Sequence, residues 1–259
     1  MPQEHTLIQK KAISILNIDI KSITEPELLC KLERGMLVTP NIDHLFHLQK
    51  NREFYDAYQS AEWVICDSRI IYFLSKLFPE SLPEAIPGSS FLRSFYMHHK
   101  NDLECKIFLL GAAEGVGRKA MENINRKAGR KIVIGAHSPS YGFEKNETEC
   151  DEIVNLINNS GATVLVVGAG GVKQEIWLAQ YRHRMPNVKL FMALGATIDF
   201  EAGNVRRAPM MIRKIGMEWL YRLMMEPKRM YRRYLVNDPI FFFHFAKQLR
   251  GTYINPFSA

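Results

Sequence analysis

Thr163-Val164-Leu165-Val166-Val167 runs directly into Gly168-Ala169-Gly170-Gly171, and a helical pattern follows from Lys173 to Arg184. A run of β-favouring residues with no charge predicts a strand buried on both faces. Glycines that close a strand and open a helix predict a tight turn. Its backbone can be approached by a ligand, and the helix N-terminus behind it favours an anion. The same alternation recurs on both sides of this unit. Lys106–Leu110 reads as a strand entering Gly111, with a helix from about 115 to 129; Lys131–Ile134 is a strand, 146–160 a helix, and Lys189–Ala193 a strand. Earlier in the chain, Ala12–Ile20 reads as a strand or hairpin. Thr24-Glu25-Pro26-Glu27 is a capping-box pattern opening a helix that Gly35 ends. Met36–Thr39 is a strand leading into Pro40-Asn41, a helix covers 42–60, and Trp63–Cys66 is a strand ending at Asp67.

Apolar strands separated by amphipathic helices predict an α/β fold, a largely parallel, Rossmann-like sheet flanked by helices on both faces. Such sheets bind ligands beyond the carboxyl ends of their strands. That rule gathers Thr39, Asn41, Asp67, Gly111, the 168–171 loop and the loop after Ala193 along one edge of one site. Thr39 and Asn41 carry groups suited to sugar hydroxyls or to orienting a carboxylate. A turn capping the next helix explains them too, and spacing alone favours the turn. Asp67 sits where partial desolvation would raise a carboxyl pKa, in a place to take a proton from a hydroxyl; it fits equally well as the N-cap of the segment starting at Ser68. Neither glycine turn matches Gly-x-Gly-x-x-Gly, so a dinucleotide-dependent oxidoreductase is disfavoured, and tight packing competes as the reason for the glycines.

Of the 259 residues, 47% are hydrophobic and 24% charged, the balance of a globular protein with one large domain or a core plus an appendage. No run approaches the roughly 18 apolar residues of a membrane span. Residues 1–5 lack the basic-then-apolar order of a signal peptide, so a cytoplasmic protein is expected. Cys30, Cys66, Cys105 and Cys150 are far apart, and neither disulfides nor a zinc site is expected. Charge is concentrated near the C-terminus. Nine basic and two acidic residues lie between Arg206 and Arg233, while the rest of the chain carries 25 of each sign. The whole net charge of +7 therefore resides in that segment.

The division expected is a core at 1–204 and a helical, basic appendage at 205–259. Helices are predicted over 213–225 and, beyond Pro227, over about 227–235. Asn237-Asp238-Pro239 reads as the N-cap and first turn of a last helix, 240–249, which is apolar nearly all round and must bury against the core, another subunit or a membrane. Arg222, Arg229 and Arg232 would share about 80° of one helical face, and arginine suits bidentate phosphate contacts. A basic tail attracts phosphate on nucleic acid, anionic lipid or a nucleotide sugar. Without a zinc-finger, ribonucleoprotein or helix-turn-helix signature, a nucleotide-binding regulatory module with a nucleic-acid-binding tail is the alternative, and the Phe-rich end fits a membrane better.

From about residue 15 to 250 the chain resembles the WecG/TagA/CpsF family of bacterial glycosyltransferases. The resemblance rests on Val38-Thr39-Pro40-Asn41, Asp67 after its strand, Ile86-Pro87-Gly88-Ser89, Leu109-Leu110-Gly111, the Gly168 to Glu175 segment, and Gly195-Ala196 with Asp199-Phe200 and Gly203. Its most specific part is Arg207-Ala208-Pro209 followed by Gly216, Glu218-Trp219-Leu220-Tyr221-Arg222-Leu223 and Glu226-Pro227 with Arg229. The resemblance implies inverting transfer from a UDP-sugar (UDP-ManNAc, UDP-ManNAcA, UDP-Glc or similar) to a polyprenyl-diphosphate-linked saccharide, at the inner face of the cell membrane. It implies Asp67 as general base with Thr39 and Asn41 beside it. Gly111, Gly168, Gly170, Gln174, Glu175 and Asp199 would hold the UDP-sugar, and Arg222, Arg229 and Arg232 would close over its diphosphate. No cofactor or metal is expected. The expected partners are the two substrates and an anionic membrane surface, with no nucleic acid and a possible homo-oligomer. Ser68-Arg69 stands where the family usually has Gly-Met, and Gly171-Val172 where Ser-Pro is common; both departures fall at the predicted pocket and bear on sugar specificity.

Overall fold

The computed structural model describes residues 12–205, 209, 212, 218–225 and 227–258. Its centre is a six-stranded sheet in the order β4-β3-β8-β7-β5-β6, formed by Trp63–Val64 (β4), Gly35–Val38 (β3), Leu190–Ala193 (β8), Val164–Gly168 (β7), Ile107–Gly111 (β5) and Val133–His137 (β6). Every pairing in it is parallel. A separate antiparallel hairpin joins Ala12–Ile15 (β1) to Ile18–Lys21 (β2).

Alternation along the strands sorts the core into two layers. Phe108 and Leu110 of β5, with Leu165 and Val167 of β7, face one side. There they meet Leu45 of α2 (Ile42–His47), Phe54 and Tyr58 of α3 (Arg52–Gln59), Ile153 and Ile157 of α7 (Glu147–Ser160), and Trp177 of α8 (Lys173–Tyr181). Ile107, Leu109, Val164 and Val166 face the other side. They meet Leu28 of α1 (Glu25–Lys31), Phe91 and Phe95 of α5 (Gly88–His98), Ile124 of α6 (Val116–Ala128) and Ile198 of α9 (Thr197–Ala202). Helices thus cover both faces, as expected for an α/β sheet, and every strand delivers its C-terminal loop to one edge.

Two boundaries differ from the sequence reading. The helix expected over 42–60 is two helices, because the Asn51 side chain accepts from the Phe54 amide at 3.0 Å and starts α3 afresh. Gly35 opens β3 rather than closing α1, which ends at Lys31. The predicted capping box is present: Glu27 accepts from the Thr24 amide at 3.1 Å, and the Thr24 side chain meets the Glu27 backbone in return.

At the C-terminus, α10 (Glu218–Met225) and α11 (Pro227–Arg232) lead through a π-helical turn (Arg233–Asn237) into α12 (Asp238–Leu249). Asn237 is helical rather than extended, and no side-chain hydrogen bond caps α12, so the chain enters this helix without the cap its sequence predicts. The last helix divides its apolar surface. Phe241 and Phe245 are buried in the layer with α2, whereas Phe242 and Phe243 are 42% and 59% exposed. Gln248 fastens the helix to the hairpin, accepting from the Leu16 amide and donating to the Ser14 carbonyl, each at 2.9 Å. No helix among the described residues is long and apolar enough to cross a membrane. Cys66, Cys105 and Cys150 are buried free thiols, and Cys30 is exposed.

Candidate active site

A cleft of about 1240 Å³ runs along the carboxyl edge of the sheet. Thr39, Asn41, Asp67, Gly111, Gly168, Gly170, Gln174 and Asp199 all line it, so strand ends far apart in sequence converge as predicted. Trp219, Met230, Arg233, Tyr234, Asn237 and Asp238 line it too, which makes the C-terminal helices one wall of the same cleft.

Asp67 follows β4 and is half-buried. Its Oδ1 accepts from the Gly88 amide at 2.7 Å, at the first residue of α5. A helix N-terminus presents free amides and a positive dipole end, so this seat suits a carboxylate. The helix cap at this point is Ser68, whose hydroxyl accepts from the Ile71 amide at 3.4 Å and starts α4 (Arg69–Ser75). Asp67 lines the cleft instead, and the N-cap reading of it is set aside. Arg69 also lines the cleft, so the Ser68-Arg69 departure adds a cation to the wall beside Asp67. Burial pushes the neighbouring Cys66 thiol up, which suits packing rather than nucleophilic chemistry.

Thr39 is buried and directs its hydroxyl to the Ala193 carbonyl at 3.4 Å. Asn41 does cap α2, accepting from the His44 amide at 3.1 Å, while its residue still faces the cleft. Behind them lies a polar group that sequence patterning missed. His44, on the inner side of α2, shares a 2.7 Å hydrogen bond with the Tyr58 hydroxyl. Burial first, then the nearby Arg233, lowers the His44 pKa to about 3, so the imidazole is neutral. Burial, with Glu175 and Asp67 nearby, holds the Tyr58 phenol well above its usual range.

The two glycine turns have separate reasons. A Cβ on Gly111 would lie 2.6 Å from the Gly168 carbonyl carbon, and Gly111 has a φ of +120°. Gly111 is therefore a glycine so that β5 and β7 can end side by side, and Gly168 because a Cβ there would lie 2.7 Å from the Gly195 carbonyl oxygen and 2.8 Å from Ile198. Gly170 and Gly171 have left-handed φ values with open space around them, leaving their backbone approachable from the cleft. Gln174 fixes this loop, since its Oε1 accepts from the Gly170 amide at 3.2 Å.

Glu175 departs from expectation. It is 0% exposed, faces the core rather than the cleft, and accepts from Gln174 Nε2 at 2.8 Å through one oxygen. Its other oxygen is buried with no hydrogen-bond partner among the described residues. Burial raises its pKa from 4.5 to about 8, so the carboxyl is mostly protonated at neutral pH. Glu175 is better described as a support behind Gln174 than as a ligand contact.

Where the C-terminal helices meet α2, Asn237 donates to Asp43 Oδ1 at 2.9 Å and Arg233 Nε lies 3.8 Å from Asp43 Oδ2. Among the described residues, the Arg233 Nε and Asp238 Oδ1 atoms are buried there without hydrogen-bond partners, and burial raises the Asp238 pKa to about 6. Arg222 lies on α10, and Arg229 and Arg232 on α11; their side chains lie outside the described residues, as do Arg207, Ala208, Gly216 and Glu226. Among the described residues, no group of three or more His, Cys, Asp or Glu side chains is placed to hold a metal ion.

The arrangement joins a held carboxylate, an approachable glycine loop at a helix N-terminus and a wall of C-terminal helices around one elongated cleft. A family model described as "Glycosyl transferase WecG/TagA/CpsF family" matches residues 13–255, nearly the whole chain, and the chain belongs to that family of glycosyltransferases.

Proposed function

We propose that this enzyme transfers a sugar from a UDP-sugar to a polyprenyl-diphosphate-linked saccharide with inversion, using Asp67 as general base. Family membership supports glycosyl transfer in cell-surface polysaccharide synthesis. The observation that carries the finer reading is the shared cleft: Asp67, fixed by the Gly88 amide at 2.7 Å, opens onto the same cavity as the Gly170-Gly171 backbone and the C-terminal helices. In the reaction, the acceptor hydroxyl forms a bond to the anomeric carbon as the bond from that carbon to UDP breaks. The hydroxyl proton passes to Asp67, and UDP leaves with the electron pair and its negative charge. Arg222, Arg229 and Arg232, on the helices that wall the cleft, are proposed to meet that charge, with residues 205–259 acting as an appendage that completes the site. The exposed Leu235, Val236, Phe242 and Phe243, beside a concentration of basic residues, support docking of this appendage on an anionic membrane surface.

The test is Asp67→Asn, assayed by UDP release with a panel of UDP-sugars and a short-chain polyprenyl diphosphate saccharide. Transfer should fall by about 10²- to 10⁴-fold, the usual worth of a general base, while UDP affinity stays unchanged. Transfer at near wild-type rate would remove Asp67 from the role.

A further inference from the structure

We propose that the outer face of α4 holds the prenyl diphosphate end of the acceptor, with Arg69 on the diphosphate and Phe73 and Leu77 on the apolar chain. The inference rests on the acceptor reading above. Ser68, Arg69 and Ile70 line the cleft beside Asp67, while Phe73 and Leu77 lie beyond its lining, so α4 starts at the cleft and leads away from it. Arg69, Phe73, Lys76 and Leu77 stand at i, i+4, i+7 and i+8, the spacing of one helical face. All four are exposed, Phe73 by 45% and Leu77 by 60%, whereas Ile71 and Ser75 on the opposite side are buried. The buried side fixes the helix: the Ser75 hydroxyl donates to the Tyr72 carbonyl at 2.7 Å and accepts from the Leu82 amide at 3.1 Å.

The order of groups along α4 matches the order of chemistry in such an acceptor. A prenyl diphosphate saccharide presents hydroxyls, then a diphosphate, then an apolar chain. From the cleft outward, this segment presents the Asp67 carboxylate, the Arg69 guanidinium, and the exposed Phe73 and Leu77 side chains. A guanidinium fork can contact two phosphate oxygens at once. Lys76 Nζ lies 5.8 Å from the Phe73 ring centroid, so a second cation borders the apolar pair. The far end of α4 adjoins the last helix, because Phe78 packs on Phe245 of α12 with ring centroids 5.7 Å apart. That helix exposes Phe242 and Phe243. A prenyl chain that follows α4 is thus delivered to the helix proposed above to meet the membrane, and its apolar surface is kept from water on the way.

Calorimetric titration of the full chain tests the assignment, with farnesyl diphosphate and inorganic pyrophosphate as probes. Saturating UDP is present throughout, so that the donor's own diphosphate position is filled. Arg69→Ala should weaken both probes by on the order of 10- to 100-fold, the range for one hydrogen-bonded charge, and Arg69→Lys should recover part of the loss. The double change Phe73→Ser with Leu77→Ser should weaken farnesyl diphosphate by on the order of 10-fold and leave pyrophosphate as it was. UDP should bind every variant as it binds the wild type, which shows that each is folded. Unchanged farnesyl diphosphate affinity in Arg69→Ala or in the double variant, or a loss that UDP shares, overturns the inference and leaves the donor reading standing. A double variant that keeps farnesyl diphosphate but no longer sediments with anionic vesicles also overturns it, since α4 would then touch the membrane and not the acceptor. A wild-type chain that binds UDP but no farnesyl diphosphate overturns the inference alone. One that binds farnesyl diphosphate through Arg69 but no UDP overturns the donor reading and leaves this site standing.

Discussion

Glu175→Gln should make this protein more stable at neutral pH. The wild-type carboxyl is completely buried, and its pKa rises from 4.5 to about 8 on folding. A group raised in this way favours the folded state fully below pH 4.5, and that support is lost as pH climbs toward 8. Each pH step in that window costs about 1.4 kcal/mol, so at pH 7 the ionisable side chain costs the fold about 3 kcal/mol relative to a neutral equivalent. Glutamine is nearly isosteric. Its carbonyl oxygen takes over the 2.8 Å bond from Gln174, and its amide occupies the place of an oxygen that already has no hydrogen-bond partner among the described residues. Burying that amide unpaired returns about 1 kcal/mol of the gain, which leaves about 2 kcal/mol at pH 7. The assay is urea unfolding followed by the emission of buried Trp177, repeated between pH 4.5 and 8. The stability difference between variant and wild type should rise through that range by about 3–4 kcal/mol. A difference that stays constant across the range, whatever its sign, would refute the placement of a neutral acid behind the glycine loop.

Phe245→Ala should cost about 3–5 kcal/mol of unfolding free energy, because the ring is 3% exposed and packs on Phe78 and Phe241 at centroid distances of 5.7 and 5.8 Å. A loss under about 1 kcal/mol in chemical denaturation would show that α12 is not an integral part of the core. The double change Phe242→Ser with Phe243→Ser should leave stability within about 1 kcal/mol of wild type but reduce sedimentation with anionic vesicles, since both rings are largely exposed. Equal vesicle binding would refute the proposed docking through this helix.

Sequence carried the architecture because strand and turn signals here are local. Val164–Val167 and Ile107–Leu110 have no charge to satisfy, so only a doubly covered sheet suits them, and the glycines that follow mark where each strand ends. The candidate site was legible for the same reason: once the strands are parallel, residues just past their ends must share an edge. Long-range geometry was not legible. The break between α2 and α3 depends on an Asn51 cap within the polar run Gln49–Glu53, residue types that the exposed face of one continuous helix would also accept. Nor does the pattern show that His44, on the inner side of α2, meets the Tyr58 hydroxyl on α3.

Glu175 shows where reasoning from residue type fails although the pattern was available. An acidic residue in the first turn of a helix behind a glycine loop invites a ligand role. Yet Gln174, Glu175, Trp177 and Leu178 are the buried residues of α8, and Trp177 and Leu178 alone set the direction of its inner face. Residues three and four positions earlier on a helix share that face, which places 174 and 175 inward as well. Gln174 escapes to the cleft edge only because its amide reaches the Gly170 backbone. Glu175 holds the other end of that amide, and the orientation of Gln174 toward the loop depends on which end is held. The carboxyl therefore bears on the ligand through Gln174 and the loop, and a neutral acceptor at 175 should preserve that orientation where an aliphatic side chain would release it.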